Sequence, residues 1–523
     1  MNFWKYVGFA TLAIVSTAGH LYGQGYTNKH TTFAGLPGSA ITHDKQYIYH
    51  VAGAFEQWNA VDFVKLDYNG NLIKHNRIVD SVPTALISTS ANCLDIVNHN
   101  LYALVDFRRD SNFQVLMPLT ILKLNDDLRL KKRLELFGNK DTSFQAYDLK
   151  FDTDSTFLVS GLLYHEPDSF SFKWDMYVAR FDTALNLLWQ TIQPDTLPQM
   201  NNGYKPRDIT LDAYGSIIVS GEAIATTNSP ILPAVEYSFA ARLNRLTGEV
   251  KWVRHYYLPP FGNAELFTHD RGDGHYYFTQ SIHVEPNPSP FNPGHIAERV
   301  RFGIMDSNGR VVSDTSYGSF FNNFVFRDMM LTHDGNFYLA GIRASSIPPF
   351  DWSAGFKVSP QGDSLWFRRY YFLNDSTDIT DMWCYTQLPD SSLVHMGLYV
   401  DWDNDINGSR RQYGWFLKTD RYGCMQKGCQ SIGIAEYQAN FGDWSTYPNP
   451  ARRVLNLTHR GGERLAKAEQ LRLYDMQGRR LLSREISGSG PWFIEVHSLS
   501  SGSYILEIGN AGHLLYRTQV MVE

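Results

Sequence analysis

From residue 331 the chain reads Leu-Thr-His-Asp-Gly-Asn-Phe-Tyr-Leu-Ala-Gly. An apolar run ends at Thr332, Asp334-Gly335 supplies a tight turn, and Phe337, Leu339 and Gly341 then alternate with Asn336, Tyr338 and Ala340. That pattern predicts a β-hairpin. Residues 353–371 alternate in the same way around Pro360-Gln361-Gly362 and predict a second hairpin. Two hairpins in succession make one four-stranded antiparallel sheet.

The unit recurs. Placing Gly341 in register aligns Gly161, Gly221 and Gly397, each closing a similar run, and more weakly Gly53, Val105 and Gln280; successive register positions lie 52 to 61 residues apart. The second hairpin repeats with it, each time with an Asp-, Asn-, Ser- or Gly-rich turn, as in residues 62–73, 177–189 and 301–312. The expected fold is all-β: a seven-bladed β-propeller, in which each sheet buries its faces against its neighbours around an axis. Residues 26–33 precede the first unit, and the last unit ends in a segment poorly suited to an outer strand. Residues 26–33 are therefore expected to supply the outer strand of the last blade and close the ring.

Composition adjusts this picture only slightly. The 523 residues suffice for a large propeller and one small domain, and 14% aromatics with 40 glycines suit short strands and tight turns. A formal net charge of −6 gives no footprint for nucleic acid, and no run approaches the ~20 apolar residues of a spanning helix. Residues 1–23 read as a signal peptide, with Lys5 ahead of a short apolar core and small residues after it. Export permits disulfides, so Cys424 and Cys429 are expected to close a small loop, with Cys93 and Cys384 buried singly. The expected domains are 1–23 signal peptide, 24–430 propeller, 431–446 linker and 447–523 a small C-terminal β-sandwich.

That last stretch alternates as strands over 447–457, 469–486, 492–508 and 514–523, with turns at Gln477-Gly478 and Ser501-Gly502. Tyr447-Pro448-Asn449-Pro450, Leu455, Tyr474-Asp475 with Gly478, and Leu499 with Gly502 and Tyr504 resemble the type A C-terminal sorting domain of the type IX (Por) secretion system of Bacteroidetes. The resemblance implies passage to the periplasm by the signal peptide, translocation across the outer membrane by the type IX machinery, and a final place at the cell surface or in the medium. The repeats are similar, less sharply, to SBBP and delta-60 type bacterial propeller repeats. The turn from Asn244 through Gly248 to Trp252 resembles the tryptophan-docking turn of quinoprotein-like propellers, which implies that Trp189, Trp252 and Trp366 pack between blades.

Candidate chemistry is of three kinds. The connections between hairpins are long and rich in aromatic residues and proline, which makes Trp58, Arg109, Trp174, Trp352 and Trp402 the candidate contacts of a binding rim. Asp148, Asp208 and Asp328 each stand thirteen positions before a register glycine, at the expected start of an innermost strand, where they would ring a channel mouth. A carboxylate there either binds a cation or sugar hydroxyls, or accepts backbone amides of the adjacent blade. Asp401, Asp403, Asp405 and Asn407 place oxygens at alternate positions, as a calcium loop does, but Ile406 and Gln412 stand where such a loop has glycine and an acid. No other cofactor is indicated. The repeated Thr-His-Asp at 42–44, 268–270 and 332–334 and the Arg271-Gly272-Asp273 tripeptide read as turns.

Two functions remain open. One is a non-catalytic surface propeller that binds a glycan or protein through its long-loop rim. The other is an extracellular enzyme acting on polysaccharide or peptide, with channel-mouth carboxylates as acid and base. A quinoprotein dehydrogenase is disfavoured by the lack of adjacent cysteines and by the count of seven units.

Overall fold

A computed structural model describes residues 26–30, 40–53, 60–80, 86–88, 93–111, 114–116, 118–136, 142–168, 171–194, 202–226, 234–256, 263–286, 296–317, 324–343, 352–370, 379–401, 411–425, 444–459, 465–475, 480–488, 490–510 and 513–522. The proposed signal peptide, most of the linker, Trp58, Trp402, Asp403, Asp405, Asn407, Cys429 and Gly478 lie outside them. The described residues are all-β, and no helix among them is long and apolar enough to cross a membrane. They fall into two compact units, residues 1–365 with 369–426, and 427–523 with 366–368.

In the larger unit, hairpin follows hairpin. The first sheet runs Ala40–His43, Tyr47–Gly53, Ala60–Asp67, Leu72–Val79, each strand bonded to the next. The second is built on Asn100–Ser111, flanked by the short strands Leu86–Ser88 and Leu94–Val97 and by Leu119–Asn125 and Leu130–Leu136. The third (Thr142–Thr153, Thr156–Asp168, Ser171–Asp182, Leu187–Gln193) and fourth (Asn202–Leu211, Ser216–Thr226, Ala234–Asn244, Val250–Tyr256) are joined by one parallel bridge, Trp174 to Gly203. The fifth spans Asn263–Asp270 to Val311–Tyr317 and the sixth Phe324–Leu331 to Ser364–Tyr370. In the seventh, Ile379–Gln387, Leu393–Asp401 and Arg411–Thr419 are followed by Tyr26–His30, which pairs antiparallel with Arg411–Thr419 in the register Thr27 to Leu417. Of residues 26–33, expected as the outer strand of the last blade, 26–30 pair as the outer strand of this sheet, and 31–33 lie outside the described residues.

Each sheet is tied to the second-hairpin turn of the next by a donor reaching a backbone carbonyl. Lys65 Nζ donates to Asp126 O at 3.1 Å, Lys123 Nζ to Thr183 O at 2.6 Å, Trp189 Nε1 to Arg245 O at 3.2 Å and Trp252 Nε1 to Ser307 O at 3.0 Å. Tyr317 donates to Gly362 O, Lys357 Nζ to Arg421 O at 3.3 Å, and Lys418 Nζ to Tyr68 O at 3.1 Å, from the seventh sheet back to the first. Trp189 also fills the space over Gly248, whose φ of +73° and lack of a Cβ let the turn sit against the indole. Trp189 and Trp252 therefore pack between sheets.

Because sheets cover one another, the two-residue period does not leave a wet face: Phe337, Tyr338, Leu339 and Ala340 are all buried. The outermost strands do the opposite, and Val312 to Ser316 lie in the solvent. Two expected loops are also absent. Residues 164–175, expected as a connection between hairpins, are strand over 164–168 and 171–175, with Tyr164 paired to Trp174, and Arg109 pairs with Leu116 across a strand pair. Runs such as His165-Glu-Pro-Asp look like loop to a composition reading, yet their backbone continues the ladder. Arg109, Trp174 and Trp352, expected in loops, stand in strands.

The first strands carry a recurrent irregularity that explains the register glycines. Between Ala146 and Asp148, Pro206 and Asp208, Phe326 and Asp328, and Met382 and Cys384 the register shifts by one residue, and between Asn263 and Leu266 it shifts again. Each is a β-bulge. The bulge swings a backbone carbonyl over the opposite strand, so that a Cβ on Gly161, Gly221 or Gly397 would overlap Gln145 O, Lys205 O or Asp381 O. Glycine stands there because the bulge leaves no room for a side chain.

In the smaller unit, Trp444–Tyr447, Val454–His459 and Trp492–Glu495 form one sheet, and Arg480–Gly488, Leu465–Asp475, Gly502–Asn510 and His513–Val522 another. Leu455, Leu457 and Ile494 from the first share one core with Leu471, Leu473, Leu506, Ile508 and Val520 from the second. Asn449 Oδ1 accepts from Met521 N at 2.8 Å and Ala451 N donates to Met521 O at 2.8 Å, so the Tyr447-Pro448-Asn449-Pro450 segment grips the last strand. Tyr504 donates to Ser500 O at 2.6 Å, bracing the turn before Gly502.

Candidate functional site

The residue extruded at each bulge is the one that meets its neighbours near the common centre. From the third sheet to the seventh these are Tyr147, Arg207, Glu265, Arg327 and Trp383, and they form a continuous chain of contacts. The Arg207 guanidinium lies over the Tyr147 ring at 4.5 Å, and its Nη2 is 3.3 Å from Glu265 Oε1. The same oxygen is 3.8 Å from Arg327 Nη1, and the Arg327 guanidinium lies 4.5 Å from the centre of the Trp383 ring. Glu222, next to register glycine Gly221, accepts from Arg207 at 2.9 Å and from Lys205 at 2.9 Å, and Lys205 reaches over the Trp174 ring at 5.1 Å.

The electrostatics follow from shared partners. Burial alone would raise the Glu222 carboxyl, but Arg207 and Lys205 overcome it and hold the group below its usual range. Arg207 loses hydration by burial, yet Glu265 and Glu222 push its pKa further up, so it is permanently cationic. Burial also raises the Tyr147 phenol, which stays protonated. Arg207 and Arg327 retain side-chain exposures of 26% and 21%, and Lys205 22%, so the group touches solvent. Tyr147, Arg207, Arg327 and Trp383 stand near the middle of their first strands, each one residue before the position where the register resumes.

Asp148 and Asp208 do different work. They are 3% and 5% exposed and lie several residues inside their strands, past the bulge, rather than at the strand start. Asp148 accepts from Ile209 N at 2.6 Å, in the next sheet; Asp208 accepts from Thr268 N at 2.9 Å and Thr268 Oγ1 at 3.2 Å, again one sheet on. Asp328, half-buried, accepts from Met329 N at 2.6 Å. Burial pushes the Asp148 carboxyl well up against the opposing charge of Lys150, with Asp208 adding to the rise. Lys150, which burial would neutralise, is raised by Asp208 and Asp148 and remains charged.

Of the expected rim, Trp174 joins this cluster through Lys205; the side chains of Arg109 and Trp352 lie outside the described ones. Asp401 pairs with Arg411 at the end of a strand, and no group of acids or histidines able to hold a metal occurs among the described residues. Cys424 is disulfide-bonded, and Cys93 and Cys384 are buried thiols outside any disulfide. The bulge residues escaped a reading of the sequence because strand periodicity has no symbol for an extruded residue. A signal exists: Tyr147, Arg207, Arg327 and Trp383 each stand fourteen positions before a register glycine, and Glu265 fifteen before Gln280, where the bulge takes two residues.

Small antiparallel sheets tied in sequence, with their first strands meeting at a common centre, make this a β-propeller-like protein. Residues 445–523 match the model of the secretion system C-terminal sorting domain, and that domain sends the protein through the type IX secretion system to the cell surface or extracellular space. No curated protein matches the chain. Among solved structures it is similar to an α-L-arabinofuranosidase from Fusarium graminearum, at 11% identity and a TM-score of 0.35, covering 62% of this chain and 91% of that one. It is also similar to the WD40 domain of SCAP from fission yeast, at 8% identity and a TM-score of 0.36, covering 77% and 99%. At such scores neither likeness bears on ligand or activity.

Proposed function

We propose that residues 24–430 form a seven-bladed β-propeller, that residues 447–523 form a β-sandwich read by the secretion machinery, and that the exported protein is a binding protein rather than a hydrolase. The ligand is a glycan or protein met outside the cell. The observation that supports this reading is that Asp148 and Asp208, two of the three carboxylates offered with Asp328 as acid and base in the enzymatic alternative, accept backbone amides of the neighbouring sheet. A carboxylate that holds an amide cannot swing to a scissile bond without releasing it. Opposite them the bulge residues present guanidinium, carboxylate and aromatic groups together, a combination suited to recognition. Purified secreted protein screened on a glycan array and against a panel of polysaccharides is expected to bind without releasing reducing ends. Release of reducing ends, lost in a folded Asp208→Asn variant, would replace this reading with the enzymatic one.

A further inference from the structure

Arg327 is the least satisfied group in the central cluster. About four-fifths of its side chain is buried, yet among the described residues its guanidinium donates no hydrogen bond; its contacts are Glu265 Oε1 at 3.8 Å and the Trp383 ring. Its Nε, the Nε of Arg207 and the Nε1 of Trp383 are buried donors with no acceptor among the described residues. A guanidinium offers five donors in a fixed fork, and leaving buried donors unmatched is costly. Glu265 does not answer this need, because the one oxygen that faces Arg327 lies closer to Arg207, at 3.3 Å. Among the described residues, Lys205, Arg207 and Arg327 pair with Glu222 and Glu265.

We propose that Arg327, backed by Trp383 and flanked by Arg207, receives the carboxylate of an acidic saccharide, a uronic-acid unit, where the first strands meet. The inference rests on the binding reading above and names its ligand. A planar carboxylate matches the guanidinium fork bidentately. Glu265 stands beside it and Glu222 beside Arg207, and both repel a bare anion, but a carboxylate accepts from hydroxyl donors. A ligand that satisfies both sets carries an anionic acceptor and hydrogen-bond donors on one small frame, as a uronic acid does. Lys205 lies over the Trp174 ring and Arg327 over the Trp383 ring, so the two indoles back the cations that the acid would meet.

The test is calorimetric titration of the full secreted protein with trigalacturonate, with the same trisaccharide as its methyl ester, and with acetate and inorganic phosphate. Trigalacturonate is expected to bind about tenfold or more tighter than the ester, and Arg327→Gln to abolish that preference while Arg327→Lys restores part of it. The ester comparison uses unaltered protein, so it stands even if a variant fails to fold. Equal affinity for acid and ester, tight binding of acetate or phosphate alone, or a preference unchanged in folded Arg327→Gln would overturn the proposal. Binding of neutral glycans only would overturn it and leave the binding reading intact; binding of no glycan or protein would remove both.

Discussion

His395 shows how a single buried group sets a response of the whole molecule. The ring is 1% exposed, and the Tyr338 hydroxyl lies 2.7 Å from its Nε2, a geometry that suits a neutral imidazole accepting the phenol proton. Burial pushes its pKa down to about 3, against a weaker opposing effect of the Leu417 backbone. In the unfolded chain the group titrates near the ordinary value of ~6.5, so below that pH the unfolded chain takes up a proton that the folded one refuses. Its contribution is therefore present above pH ~6.5 and is lost as pH falls toward 3, at about 1.4 kcal/mol per pH unit. Denaturant titrations at pH 7, 6, 5 and 4 are expected to show this decline, and His395→Phe should be less stable at pH 7 but shallower by about one proton. An unchanged slope in the variant would show that the ring is solvated.

At the scale of elements, the bulge and its glycine are one device. Adding a methyl at Gly221 drives a Cβ into Lys205 O and the Arg207 amide, so Gly221→Ala must flatten the bulge or move the strand, at a cost of about 2 kcal/mol or more. The same change at Gly335, where a Cβ meets nothing, strains only a turn with φ of +76°. Thermal unfolding of the two variants should rank Gly221→Ala as the worse; the reverse order would contradict the bulge. Glycine spacing, turn residues and alternation are local, which is why the sheets, the pairing of Tyr26–His30 and the packing of Trp189 and Trp252 were legible in the chain. Extrusion of Arg207 or Arg327 was not, because it depends on how a strand accommodates the sheet beside it. Nor was the continuation of strand through Tyr164 and Trp174, where polar and proline residues lie on backbone that remains paired. Asp208 was legible as a position and ambiguous as a role: only the distance to Thr268 decides between ligand and amide.

At the scale of the molecule, two ends of one chain do separate jobs. The C-terminal unit addresses the protein, and its Asn449 and Ala451 clasp the final strand, so truncation within it removes the clasp as well as the core around Leu473 and Leu506. Ending the chain at residue 444 is expected to leave folded protein in the periplasm, detected by surface proteolysis of intact cells; equal surface exposure would contradict the assignment of export to residues 445–523. The N-terminal end closes what the repeats begin. Lys418 of the last sheet reaches Tyr68 O of the first, and Thr27 stands opposite Leu417 in the last sheet. The paired substitutions Thr27→Cys and Leu417→Cys test it most directly, because directly opposed antiparallel residues have Cα atoms ~4.5–5.5 Å apart, within disulfide reach. Mass spectrometry of the secreted double variant is predicted to find an intramolecular disulfide joining the two substituted positions in most molecules, with the thermal midpoint unchanged or raised; absence of that link, or links only between molecules, would mean the ring does not close.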